Sequence, residues 1–156
     1  MPHEIRFGII GLGLMGREFA SATARWCHLL EQDVRPVITA VCDSNPKTFA
    51  WYETSLPGAL FTTTDYRELL ARDDVDAVYC AVPHHLHERL YTDIIRAGKH
   101  LLGEKPFGID LEANQRINEV IAQHPGVLAR CASEFPYYPG ALQIIRAVRE
   151  GRLGRI

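Results

Sequence analysis

The chain has 156 residues, 47% of them hydrophobic, and a formal net charge of −2. That is enough apolar sequence to bury one core at the ~100–150 residues usual for a single domain, and it excludes a disordered chain. Acidic and basic residues are interspersed, so no basic stripe points to nucleic acid and no polybasic segment to an anionic membrane.

The first apolar run, Ile5 to Ile10, reads as a strand and leads into Gly11-Leu12-Gly13-Leu14-Met15-Gly16. A helix follows from near Leu14, with Phe19, Ala22, Trp26 and Leu29 or Leu30 at spacings of three and four, which predicts one buried stripe. Pro36 to Cys42 is a β-branched run that ends at Asp43. Asn45-Pro46 then has the form of an N-cap with proline at the first helical position, so a second helix is expected. A short strand is predicted over Ala59 to Thr62, then Thr64 or Asp65 caps a helix reaching Leu69, Leu70 and about Arg72.

Ala77 to Val82 is almost continuously apolar, as a parallel strand covered on both faces requires, and it stops at Pro83. Leu86, Leu90 and Ile94 repeat every four residues, which predicts a helix over Leu86 to Ala97 closed by Gly98. His100 to Leu102 is the fifth strand. Asp110 caps a helix carrying Ala113, Ile117, Val120 and Ile121, and Val127 to Cys131 is the sixth strand. A last helix presents Ala141, Ile145 and Val148 before Gly151. Strands alternating with helices over this length predict an α/β fold, a Rossmann-type doubly wound parallel sheet of about six strands with helices on both faces, in a single domain.

Cys27, Cys42, Cys80 and Cys131 lie far apart, three of them in apolar runs, and show neither a disulfide framework nor zinc-ligand spacing. Met1-Pro2-His3-Glu4 lacks the features of a signal peptide, and no apolar run approaches the ~20 residues of a membrane span. A reducing, cytoplasmic setting without membrane partners is the expectation.

In open parallel sheets, ligands bind beyond the carboxyl ends of the strands. Gly11, Asp43, Pro83, Glu104-Lys105 and Glu134 all fall just past predicted strand ends. A Gly-x-Gly-x-x-Gly turn that opens a helix lets backbone N–H groups approach a pyrophosphate, although glycines also serve at plain turns. Asp43 can accept hydrogen bonds from an adenosine ribose diol and would repel a 2′-phosphate, so NAD is favoured, with NADP possible; Asp43 can equally be a turn residue before Ser44. His84, His85 and His87 supply too few converging ligands for a metal. His84 and His87 lie at a helix start, where their rings can bond ribose or phosphate or simply cap the helix. Lys105, followed by Pro106, can aim its ammonium at a substrate hydroxyl, or it can be a solvated lysine paired with Glu104.

Gly11 to Gly16, Asp43, Ala81-Val82-Pro83 with His87, Ala97-Gly98-Lys99-His100 leading into Glu104-Lys105-Pro106, and Gly151-Arg152-Leu153-Gly154 together resemble the glucose-fructose oxidoreductase and inositol dehydrogenase family, Gfo/Idh/MocA. The resemblance implies NAD(P)-dependent oxidation or reduction of a sugar, polyol or related small molecule, with Lys105 as the active-site lysine. It implies cofactor contacts from Gly11, Gly13, Leu14, Met15, Gly16, Asp43, Ser44, Val82, Pro83, His84, His87, Glu104 and Lys105. His84 stands where members often carry asparagine. Members are typically about twice as long and form homo-oligomers through a second α/β domain that binds substrate. The expected layout is therefore a dinucleotide-binding domain over residues 1–150, with 151–156 the start of a missing C-terminal domain. Such a chain binds dinucleotide but is inactive alone. The alternatives are a non-catalytic, dinucleotide-sensing module of the same fold, or an S-adenosylmethionine-dependent methyltransferase, which does not predict Glu-Lys-Pro after the fifth strand.

Overall fold

The computed structural model describes residues 2–56, 58 and 60–155. Six strands, β1 (His3–Ile10), β2 (Val34–Cys42), β3 (Phe61–Thr63), β4 (Ala77–Cys80), β5 (His100–Glu104) and β6 (Ala129–Ala132), form one sheet in the order β3-β2-β1-β4-β5-β6. Every pairing is parallel. The helices are α1 (Leu14–Ala24), α2 (Phe49–Ser55), α3 (Tyr66–Leu70), α4 (His87–Arg96), α5 (Leu111–Gln123) and α6 (Pro139–Arg149). None is long and apolar enough to cross a membrane.

The pleat turns successive side chains to opposite faces, so the central strands feed two cores. Ile9, Val41 and Tyr79 pack with Ala20 of α1 and Tyr52 of α2. Ile10, Cys42, Val78 and Cys80 pack on the other face with Leu69 of α3, Leu90, Ile94 and Ile95 of α4, and Ile117 of α5. Strands buried on both sides carry apolar residues at every position, which is why β4 reads as a continuous run.

Local chemistry sets most boundaries. The Asn45 side chain accepts from the Lys47 N–H, Asp65 from Arg67 and Asp110 from Ala113, each holding a helix start. Gly98 and Gly151 adopt positive φ just past α4 and α6. Several expected boundaries move. The apolar stripe of the first helix overruns it: α1 stops at Ala24, Trp26 lies in a separate 3₁₀ turn, and Leu29 and Leu30 are exposed. Periodicity marks apolar residues but not whether anything covers them. The third strand is Phe61–Thr63; Ala59, where it was expected to start, lies outside the described residues. The fourth strand ends at Cys80, and Ala81 and Val82 continue into the loop. Of the face expected on the last helix only Ala141 is buried; Ile145 and Val148 are substantially exposed, as are Phe135, Tyr137 and Tyr138 just before it.

Candidate dinucleotide-binding site

The chain runs from β1 to β2 and β3 on one side and then crosses to β4 on the other side of β1, so the carboxyl ends of the neighbours β1 and β4 open the crevice in which a ligand fits. The glycine turn forms its floor. Gly11 has φ +94°, and a Cβ there would sit 2.4 Å from the Ala81 carbonyl oxygen, so the turn and the β4 exit touch through backbone alone. A Cβ on Gly16 would meet the Gly11 oxygen at 2.4 Å and the Tyr52 hydroxyl at 2.7 Å, which lets α1 start directly under the turn. Around Gly13 there is open space, and Gly13 is the N-cap of α1 without a side-chain cap or an acidic residue in the first turn. The first N–H groups of α1 are thus presented to the crevice with their partial positive charge uncompensated, the requirement for a bound phosphate.

Asp43 ties β2 to this turn. One carboxylate oxygen accepts from the Leu12 N–H and the other from the Asn45 N–H, both at 2.8 Å. Each oxygen has a further lone pair, so the carboxylate retains acceptor capacity for a diol. From Gly11 and Gly13 a cavity of ≈ 450 Å³ runs past Asp43 and Ser44 and is closed by Thr64, Tyr66, Val82, Pro83, Leu86, Arg89 and Leu90. Between Gly16 and Asp43 the chain leaves α1 at Ala24 and passes through the 3₁₀ turn Trp26–His28 and a loop before entering β2 at Val34.

The next carboxyl end along the sheet, beside β4, belongs to β5. Glu104 is 7% exposed, and its carboxylate accepts from the Tyr79 hydroxyl at 2.7 Å and the Lys105 N–H at 3.2 Å. The Glu104 carbonyl accepts from the buried Tyr91 hydroxyl at 2.6 Å. Burial, then the bond to Glu104, pushes the Tyr79 hydroxyl well above the ordinary phenol range, so it stays a donor. The Lys105–Pro106 peptide is cis. The Lys105 side chain is exposed and enters none of the ion pairs among the described residues, so the alternative of a Lys105–Glu104 pair does not hold here. Leu14 and Met15 are exposed at the start of α1.

The two histidines separate. His84 is exposed in a 3₁₀ turn beside Pro83, whereas His87 is fully buried. Its Nδ1 lies 2.7 Å from the Pro106 oxygen and its Nε2 3.0 Å from the Val82 oxygen. Neither nitrogen is left for ribose or phosphate, which corrects the expected His87 contact. The ring instead ties the loop after β4 to the turn that carries Lys105, and it stacks on Tyr91 at 4.7 Å.

The structure thus brings Gly11, Gly13, Asp43, Ser44, Val82 and Pro83 around one cavity, packs Gly16 under the turn, and sets Glu104 and Lys105 at the end of β5. Tyr66, Leu86 and Arg89 were not legible as cavity walls. The one available signal was the Leu86, Arg89, Leu90 spacing, which turns one side of early α4 toward the strand ends.

Comparison with known proteins agrees with this geometry. The sequence profile described as "Oxidoreductase family, NAD-binding Rossmann fold" (GFO_IDH_MocA) matches residues 5–130. 1,5-Anhydro-D-fructose reductase of Ensifer adhaerens is 30% identical over 150 residues, 96% of this chain and 42% of that protein. dTDP-3,4-didehydro-2,6-dideoxy-alpha-D-glucose 3-reductase of Actinomadura kijaniata is 40% identical over 91 residues, 58% of this chain and 27% of that protein. The crystal structure of scyllo-inositol dehydrogenase from Lactobacillus casei with bound NAD(H) and scyllo-inositol superposes with a TM-score of 0.83 at 27% identity, covering 98% of this chain and 43% of that one. The chain spans less than half the length of each of these proteins.

Proposed function

This chain belongs to the Gfo/Idh/MocA oxidoreductase family, and we propose that it is the cofactor-binding part of an NAD(P)-dependent enzyme acting on a carbinol carbon of a sugar, polyol or related compound. The observation that carries the reading is that the uncapped α1 start, the Asp43 carboxylate and the consecutive residues Glu104 and Lys105 all lie at the carboxyl edge of one sheet, after β1, β2 and β5. When bound, the dinucleotide supplies the hydride acceptor or donor. The N–H groups of Leu14, Met15 and Gly16 would hold its pyrophosphate and Asp43 and Ser44 its ribose, with Val82, Pro83 and His84 as further contacts from the loop after β4. Glu104, locked by Tyr79, positions Lys105. The Lys105 ammonium orients the substrate oxygen and offsets negative charge developing on it.

The substrate class rests on relatives that reduce or oxidise sugars and on a neighbour solved with a polyol. The proposal divides the full enzyme into a dinucleotide-binding domain over 1–150 and a substrate domain that starts at about 151, with a homo-oligomer built by the second domain. The exposed apolar residues of α6 and of Phe135 to Tyr138 support a covered role for that face in the full enzyme. All four cysteines are free thiols, which supports a reducing cytoplasmic setting.

Titrating the chain with NADH and NADPH, followed by the fluorescence of Trp26 and Trp51, tests the reading. Tighter binding of NADH is expected, because Asp43 repels a 2′-phosphate. Tighter NADPH binding removes the NAD preference, and binding of neither removes the cofactor role itself.

A further inference from the structure

We propose that Arg89, held by Tyr66, covers the face of the adenine base and is a determinant of dinucleotide affinity in this chain. The inference deepens the reading above and rests on it.

With the pyrophosphate on the α1 start and the ribose on Asp43, the base has to occupy the remainder of the same cavity. The walls left there are Thr64, Tyr66, Leu86, Arg89 and Leu90. Leu86 and Leu90 supply apolar contact. Tyr66 and Arg89 supply the planar groups, but the Tyr66 ring already packs against the Arg67 guanidinium at 4.7 Å. Arg89 is exposed and enters none of the ion pairs among the described residues. Among the described residues its guanidinium makes one hydrogen bond, a long one of 3.3 Å from Nη2 to the Tyr66 hydroxyl. That hydroxyl donates in turn to Asp93 Oδ2 at 2.8 Å, one turn further along α4. The relay from Arg89 through Tyr66 to Asp93, with Arg89 Cζ also 5.8 Å from the centre of the Tyr66 ring, restrains the guanidinium at the cavity wall. A guanidinium plane stacks on an aromatic face by a cation–π interaction that a lysine ammonium reproduces poorly, because lysine brings the charge without the plane. Stacking on a face does not read the base edge, so purines with different edges are held alike.

The test is calorimetric binding of NAD and of nicotinamide hypoxanthine dinucleotide to the wild-type chain and to Arg89→Ala, Arg89→Lys, Tyr66→Phe and the Arg89→Ala/Tyr66→Phe pair, at low and at high NaCl. Arg89→Ala is expected to weaken both dinucleotides by about tenfold, at both salt concentrations, and Arg89→Lys to recover less than half of that loss. Tyr66→Phe is expected to cost about threefold alone, about half of the stacking free energy, and nothing more once Arg89 is alanine. Unchanged affinity in Arg89→Ala overturns the proposal. So does a loss that vanishes at high salt, the mark of a long-range attraction to phosphate, or a loss that differs between the two bases, the mark of an edge contact. A wild-type chain that binds neither dinucleotide removes the cofactor reading and this inference with it, whereas wild-type binding with an indifferent Arg89 removes this inference alone.

Discussion

At the amino ends of the strands the polar groups are occupied by one another. Arg6 grips Asp76 through Nε and Nη2 at 2.9 and 2.6 Å, and its own N–H reaches the same carboxylate at 2.8 Å. The guanidinium holds the Asp76 carboxyl down to about 2. Lys99 Nζ donates to the Arg72 and Val75 carbonyls at 2.7 and 2.9 Å, and the Thr39 hydroxyl donates to the Asp74 carbonyl at 2.7 Å. At the carboxyl ends, α1 starts without a side-chain cap, Gly13 faces open space, and the Lys105 side chain projects from its turn without an ion-pair partner among the described residues. The two lysines that flank β5 show the contrast within six residues of sequence. One end of the sheet is closed for stability, and the other is kept available for a ligand, with its backbone fixed from below by Asp43, Tyr79, Tyr91 and His87.

The contrast breaks most visibly at Gly11. Alanine there combines positive φ with a Cβ 2.4 Å from the Ala81 carbonyl, a backbone atom that cannot step aside. The expected destabilisation is about 3 kcal/mol, or a fall in Tm of roughly 6–12 °C for a chain of this size, read by thermal unfolding. Dinucleotide binding is lost with it, because the turn and the β4 exit no longer fit together. A variant with wild-type Tm contradicts the close backbone approach.

Lys99→Met tests the closed end. Methionine keeps most of the apolar stem but leaves the Arg72 and Val75 carbonyls without their charged donor, at a cost of about 2 kcal/mol and roughly 4–8 °C in Tm. Because the site lies at the far end of the strands from the cavity, NAD affinity in the folded chain is expected to stay within about twofold of wild type. A stable Lys99→Met chain shows that water replaces the ammonium at no cost.

Much of this architecture is written in short-range chemistry. Asn45, Asp65 and Asp110 cap the helices that follow them, and Gly98 and Gly151 close the helices before them, because capping depends on residues two or three apart. The two-sided burial of β4 is visible in its unbroken apolar run. What the sequence conceals depends on distant partners. Nothing local says that the His87 ring lies buried between carbonyls five and nineteen residues away, or that Tyr79 locks Glu104 from a neighbouring strand. The stripe over Trp26, Leu29 and Leu30 misleads for the same reason: its spacing is helical, but α1 ends at Ala24, and Leu29 and Leu30 lie exposed in the connection to β2. The glycine turn is legible because its need for close approach falls on Gly11 and Gly16 in one short stretch, with Gly13 between them at the helix start. The Tyr66–Arg89 wall is not, because α3 and α4 meet only in the fold.

The smallest expected effect belongs to Lys105, and it sharpens the contrast most. Lys105→Met removes a side chain that holds no ion pair among the described residues, so stability is expected to change by less than about 0.5 kcal/mol and NAD affinity by less than about threefold, since surface charges of this kind contribute little to either. Set beside Lys99→Met, the same substitution six residues away gives a measurable loss in Tm at one end of β5 and none at the other. If Lys105→Met instead destabilises the chain as much as Lys99→Met, then Lys105 is a structural residue of the Glu104 turn, and its assignment to the substrate oxygen fails. If only turnover in the full-length enzyme collapses while Tm and NAD affinity hold, the exposed ammonium has the role that its position at the open end of the sheet assigns to it.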